Sequence, residues 1–445
     1  MSNQILVIGA GRSSSSLIKY LLDNAAAQDW QVRIGDMDLS LAQSRVGDNP
    51  RGVAFKFNAL DASERAGEIE KSNFVISMLP ARFHMEVVKD CIRYKKNLIT
   101  PSYISKELAA LDQEVKDAGI IILNEVGLDP GIDHMSAQKI IDEIKNDGGK
   151  FSRFESFTGG LIAPESDNNP WNYKFTWNPR NVVLAGQGSA AQFLQGGKYK
   201  YVPYNMLFSR TKLIEIEGYG AFEGYPNRDS LKYISVYGLE GIPTIYRGTL
   251  RKAGFPKAWN VFVQLGMTDD SYQMHNMKEV SYREFTNSFL AYQTDVSCEE
   301  KLKLFLQLDD EVMSKLKWLG VFSDEKIGID SASPAKILQN LLESKWTLEE
   351  GDKDMIVMWH RFGYVIDGHE YDRTSSMVVI GDDEDYTAMA KTVGYPIGIA
   401  CKMILNGKIT AKGVRLPITA DIYNPILDEL EELGVVFTEK TKELV

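Results

Sequence analysis

From Gln4 to Glu125 the chain repeats one device, an apolar run followed by a stretch of helical spacing. The runs read QILVI, WQVRI, GVAFKF, NFVIS, NLIT and GIIIL, and helical stretches such as Phe83–Lys95 and Ser105–Asp117 separate them. A strand with one wet face alternates apolar and polar residues. Most of these runs are near-continuous instead, which predicts strands covered on both faces, as in a parallel sheet with helical crossovers. The predicted class is α/β, a doubly wound parallel sheet, whose ligands sit outside the carboxyl ends of the strands.

The first run meets Gly9-Ala10-Gly11, and Ser13 to Asn24 then carries helical spacing through Leu17, Ile18, Leu21 and Leu22. Strand, glycine turn and helix in that order predict a Rossmann dinucleotide site. Gly9 permits the tight turn, Gly11 lets backbone approach a pyrophosphate, and the helix N-terminus offers free N–H groups. Ser14 stands where a third glycine is usual and is small enough to keep helix and strand close. The second run ends at Asp36 and Asp38. An acid there binds ribose hydroxyls and repels a 2′-phosphate, so Asp36 favours NAD, while Arg12 and Arg33 nearby leave NADP open. Both aspartates also suit a plain turn cap. The ends of the later runs put Asn58 and Ala59, Leu79-Pro80, Pro101-Ser102-Tyr103 and Leu128-Asp129-Pro130 on the same rim as Gly9, Gly11, Arg12 and Ser13.

Composition bounds the rest. The 445 residues, 44% hydrophobic and 25% charged, suffice for two or three domains, and a net charge of −11 argues against nucleic acid as a partner. Cys91, Cys298 and Cys401 are scattered and odd in number, which indicates neither a disulfide framework nor a zinc site and fits a reducing compartment. The start of the chain has no basic leader, and no apolar run approaches roughly 18 residues. A soluble, cytoplasmic protein with no metal is expected.

The motifs NEVGLDPGIDH, PSYIS, GGLIAPESDNNPWNYKFTWNPR, YPNRDS, YRGTLRKAGFP, GVFSDEK and TVGYPIGIA, in that general course along nearly the whole chain, resemble the saccharopine reductases, the L-glutamate-forming saccharopine dehydrogenases of lysine metabolism. The resemblance implies a Rossmann domain over residues 1–130 and about 385–445, a mixed α/β substrate domain over about 131–263 and 347–384, and a mostly helical part over about 264–346. The pattern agrees: helical spacing follows His134 as far as paired glycines, dominates 264–346 and returns in DYTAMAKTVGYPIGIACKMILNG, whereas MIVMWHRFGYVIDG and YDRTSSMVVIG alternate like paired strands.

The reaction implied is the reversible interconversion of saccharopine with glutamate and 2-aminoadipate 6-semialdehyde through an imine, with hydride passing to or from a nicotinamide cofactor. A substrate with several carboxylates needs cations, and Arg228 and Arg251 are the candidates, because guanidinium grips carboxylate at two points. By resemblance Ser102, Tyr103, Asp129, Thr249 and Leu250 also touch substrate. Imine formation and collapse need a proton carrier near neutral pH. Asp129 and Tyr103 are the candidates, with His134 a third by its ordinary pKa. Other roles stay open: Asp129 also suits a helix cap, His134, Asp133 and Glu125 suit scaffold, and Tyr103 suits packing. Asn178, in the aromatic run APESDNNPWNYKFTW, is a candidate to line the cofactor cleft, and the aromatics themselves equally suit core. Two departures from the family stand out. Met37 replaces the arginine that accepts the 2′-phosphate, and Thr158 replaces a cysteine. Two further readings are a carboxyspermidine-type dehydrogenase of the same superfamily and a noncatalytic nucleotide-binding protein. A homodimer is the commonest expectation for such enzymes.

Overall fold

A computed structural model describes residues 2–444. The described residues form two compact units, the first from residues 2–150, 366–369 and 377–439, the second from 151–365, 370–376 and 440–444. Among the described residues no helix is long and apolar enough to cross a membrane.

The first unit holds a seven-stranded sheet. Its strands are β1 (Asn3–Ile8), β2 (Trp30–Asp36), β3 (Gly52–Lys56), β4 (Phe74–Ser77), β5 (Asn97–Ile99), β6 (Ile121–Leu123) and a late strand, Gly413–Arg415. Their spatial order is Gly413–Arg415, β6, β5, β4, β1, β2, β3. Every pairing is parallel, as the apolar runs predict. The order reverses at β1, which lies between β2 and β4, and this is where an open α/β sheet leaves a crevice at its carboxyl edge. Leu6, Ile8, Val75, Leu98 and Ile122 on the strands pack with Ile69, Val87, Val88 and Cys91 on the helices into one core.

The late segment completes this unit. Helix Ala388–Leu405 packs on helix Ser15–Ala25, the one that follows the glycine turn. A Cβ on Gly394 would stand 2.5 Å from the Leu17 nitrogen, and one on Gly398 2.4 Å from the Tyr20 ring, so the GYPIG pattern lets two helices approach closely. Tyr20 Oη donates to Glu429 on the following helix, and Lys402 Nζ reaches the same carboxylate oxygen.

The second unit is built on a nine-stranded sheet. Its main path runs Lys212–Ile216, Gly220–Pro226, Ile245–Lys252, Lys150–Ile162, Asp354–Ile366, His369–Ile380, Phe437–Leu444, and the hairpin Ala191–Gln195/Lys198–Val202 branches from Ile245–Lys252. The sheet is mixed: Ile245–Lys252 runs parallel to Lys150–Ile162 and antiparallel to Gly220–Pro226. Helices dominate 282–346, with a two-residue ladder between Met274–His275 and Ser331–Ala332. Trp171, Tyr173 and Phe175 are buried against Phe255 and Trp346, so the aromatic run is core.

Candidate functional site

In the first unit the glycine turn sits at the crevice. Gly9 has φ 107°, a conformation that disfavours any side chain, and its N–H donates to the Gly35 carbonyl at 2.9 Å. Nothing lies within 4 Å of where a Cβ would stand on Gly11, so its backbone face is open to a ligand. Behind it Ser14, buried, donates from Oγ to the Gly11 carbonyl at 2.7 Å and closes the turn that a third glycine would otherwise shape. Arg12 and Ser13 follow directly, and the N-terminus of helix Ser15–Ala25 opens behind them. This arrangement fits a dinucleotide pyrophosphate.

Asp36 and Asp38 divide their duties. Asp36 Oδ2 accepts the Ala10 N–H at 2.7 Å, and Oδ1 accepts the Asp38 N–H at 2.9 Å. Asp38 caps helix Leu39–Val46 through the N–H groups of Ser40 and Leu41, and that bonding lowers its pKa, the Ser40 side chain contributing most. Arg33 is spent on Glu68. Met37 is 61% exposed.

The other rim residues follow β3 to β6. Asn58 Oδ1 accepts the Leu60 N–H, and the Ala59 carbonyl accepts from the buried Arg65. Leu79 is half-buried after β4, and Pro101 and Ser102 are half-buried after β5, with Tyr103 39% exposed beside them. After β6 the chain folds tightly back. Gly131 has φ 148°, and a Cβ there would stand 2.0 Å from the Gly127 carbonyl oxygen, so only glycine fits. Leu128 is buried, Asp129 half-buried, and the Asp129–Pro130 peptide is cis. Helix Ile132–Asn146 begins directly behind Gly131, whose N–H donates to the Asp133 carboxylate at 2.6 Å.

The polar residues of this loop are bonded to their surroundings. Glu125 Oε2 meets His134 Nε2 at 2.9 Å, both buried, and Glu125 Oε1 accepts the Ile104 N–H. The Ser102 carbonyl accepts from Asn124 Nδ2 and from the Glu125 N–H, each at 3.2 Å. These bonds tie the loop after β6 to the loop after β5.

The second unit carries both candidate arginines, in separate surroundings. Tyr225 pairs in register with Thr249, and Thr249 with Thr158, so three side chains share one row across three strands. Leu250 is buried beside them. Arg251, two residues beyond Thr249, is 5% exposed, with its guanidinium 5.0 Å from the Tyr173 ring centroid and 5.7 Å from that of Phe255. Its Nη1 donates to the Leu250 carbonyl, and its Nε has no partner. Thr158 Oγ1 is likewise buried without one. Burial raises the phenol pKa of Tyr173 and Tyr225, and the Arg251 charge opposes it. Arg228 is exposed at φ 51° and lines a cavity of about 360 Å³ with Gly186 to Ser189, Ala191 and Leu207. Asn178 caps helix Pro179–Val183.

Among the described residues neither Arg228 nor Arg251 is ion-paired with a carboxylate, in a chain of net charge −11. A buried guanidinium without an anion is costly, and a ligand carboxylate would satisfy it. Sequence reasoning missed three neighbours of these candidates. Tyr173 and Tyr225 beside Arg251 were legible only as aromatics in family-like motifs. His84 carries no motif, yet its ring reaches Ser77 and Ser102.

Residues 5–123 match the family model of the saccharopine dehydrogenase NADP binding domain, and residues 127–435 that of the saccharopine dehydrogenase C-terminal domain. The saccharopine dehydrogenase [NADP(+), L-glutamate-forming] of Pyricularia oryzae is 36% identical over 99% of this chain and 99% of its own. The mitochondrial alpha-aminoadipic semialdehyde synthase of Bos taurus is 35% identical over 98% of this chain, which corresponds to 48% of the bovine protein. The solved structure of saccharopine dehydrogenase (L-Glu forming) from Saccharomyces cerevisiae covers 99% of this chain and 100% of its own at 35% identity, with a TM-score of 0.90. These matches overturn the expectation that Asp36 favours NAD, since the matching nucleotide domain and the Pyricularia relative are both named for NADP. Each Asp36 oxygen accepts one backbone N–H group, so the carboxylate also braces the turn.

Proposed function

The chain belongs to the saccharopine dehydrogenase family, and from that premise we propose that it interconverts saccharopine with glutamate and 2-aminoadipate 6-semialdehyde, using NADP as the hydride carrier. The observation that carries the substrate class is the pair of arginines without carboxylate partners, one of them buried. Guanidinium clamps suit a substrate with several carboxylates and would repel a polyamine, which disfavours the carboxyspermidine-type reading. The noncatalytic reading finds no support in matches that run through both family models.

In this reading Arg228 and Arg251 bind substrate carboxylates, and Thr249 and Leu250 shape the wall beside them. Gly9, Gly11, Arg12, Ser13, Asn58, Ala59, Leu79, Pro101, Leu128, Asp129, Pro130 and Asn178 contact the cofactor, which supplies or takes the hydride, and Ser102 meets the substrate beside it. Arg12 is the cation we assign to the 2′-phosphate, because Arg33 is engaged by Glu68 and position 37 is methionine. Asp129 and Tyr103 move protons as the imine forms and collapses. His134, sealed against Glu125, is scaffold. The buried free cysteines agree with a reducing compartment, and we place the enzyme in the cytoplasm, as a homodimer.

The decisive experiment is an absorbance assay of the purified chain with saccharopine and NADP. Reduction of the cofactor at enzymatic rates is expected; no turnover with saccharopine in either direction would refute the reading.

A further inference from the structure

We propose that His84 is a positioning residue of this enzyme, holding the Ser102 hydroxyl in one orientation at the ligand rim. Ser77 is the last residue of β4, His84 opens helix His84–Tyr94, and Ser102 follows β5. His84 Nδ1 lies 2.9 Å from Ser77 Oγ, and Nε2 lies 2.7 Å from Ser102 Oγ and 3.3 Å from Thr100 Oγ1. Ser77 is 0% exposed and His84 6%, whereas Ser102 is half-buried. The ring therefore spans from the sheet interior to the rim.

Burial pulls the imidazole pKa down to about 4, against an opposing hydrogen bond to the Leu79 backbone, so the ring is neutral near pH 7. A neutral imidazole is one donor and one acceptor. Bonded at both nitrogens, it does not turn, and Nε2 shares a single proton with the Ser102 hydroxyl. That bond uses one direction of the hydroxyl and leaves the others for the rim. The Ser102 carbonyl is held separately, by Asn124 and Glu125. Two clamps from different elements thus converge on one serine. A serine that must meet a substrate group at a set angle benefits from both.

The inference rests on the reading that Ser102 meets saccharopine. The test is a double-mutant cycle of His84→Phe and Ser102→Ala, with kcat and the KM for saccharopine and for NADP measured alongside Tm. We expect H84F to raise the saccharopine KM about tenfold with less than about a twofold change for NADP. H84Q, whose amide reaches the Nε2 position, should recover most of the loss. In the S102A background H84F should have no further effect. Multiplying effects in the double variant, equal rises in both KM values, or H84Q no better than H84F would each overturn the proposal. Where H84F does not fold, Ser77→Ala takes its place, and its effect on saccharopine KM must likewise vanish in the S102A background. A wild-type enzyme inert toward saccharopine would sink the reading beneath it; an active one with a multiplicative cycle would sink this inference alone.

Discussion

Asp36 Oδ2 accepts the Ala10 N–H at 2.7 Å, so a side chain at the end of β2 fastens the turn at the end of β1. Asp36→Ala removes this charge-assisted bond and the one from Asp38 N–H. A loss of about 2 kcal/mol in urea unfolding is expected, together with a higher dissociation constant for NADP. Unchanged stability would mean that the turn holds its shape without the carboxylate.

Met37 stands exposed beside that turn, where an uncharged side chain contributes nothing to a 2′-phosphate. Met37→Arg should raise kcat/KM for NADP several-fold while leaving that for NAD within about twofold, and Arg12→Ala should lower the NADP value about tenfold. Comparison of both cofactors in each variant checks the assignment. Equal changes for the two would place both residues away from the phosphate.

Arg251 is a buried charge without an anion, and this separates function from stability. Arg251→Met should raise the saccharopine KM about a hundredfold, since a buried guanidinium–carboxylate contact is worth on the order of 3 kcal/mol. The same change should leave the folded state as stable as before or more so, because the lone desolvated charge is gone. Thermal unfolding without substrate reads the second effect. A marked loss of stability would show that Arg251 is structural.

His84 makes stability depend on pH. Its folded-state pKa, about 4, lies below the ordinary histidine value of 6.5, so between these values the unfolded chain binds more protons than the native one. Stability is fully present above about pH 6.5 and is lost as pH falls toward 4, by about 3 kcal/mol in all from this group. Urea titrations across that window should show the slope, and H84Q should reduce it. An identical slope in H84Q would assign the proton uptake elsewhere.

The architecture of the first unit was legible because buried parallel strands and a glycine turn write themselves as local patterns, from Gln4–Ile8 onward. Partners of single atoms are another matter. An acid at the end of β2 reads the same whether it awaits a ribose or braces Ala10, because the competing donors are backbone N–H groups without a sequence signal. His84 escaped notice for a related reason: only the adjacency of β4 and β5 brings Ser77 and Ser102 to its two nitrogens. The row Tyr225, Thr249, Thr158 depends on the register of three strands separated by up to dozens of residues, and no short window contains it.

The close seat of Gly394 and Gly398 on Leu17 and Tyr20 bears on how the molecule is born. A ribosome that has released everything up to residue 377 has made the whole glycine turn and six of the seven strands of its sheet, but neither the helix that shelters Leu17 and Tyr20 nor the strand that borders β6. Until the last stretch emerges, the face of Leu17 and Tyr20 that it covers has only water or a chaperone against it. The helix behind the glycine turn is therefore seated late in synthesis, although its own residues are among the first to leave the tunnel.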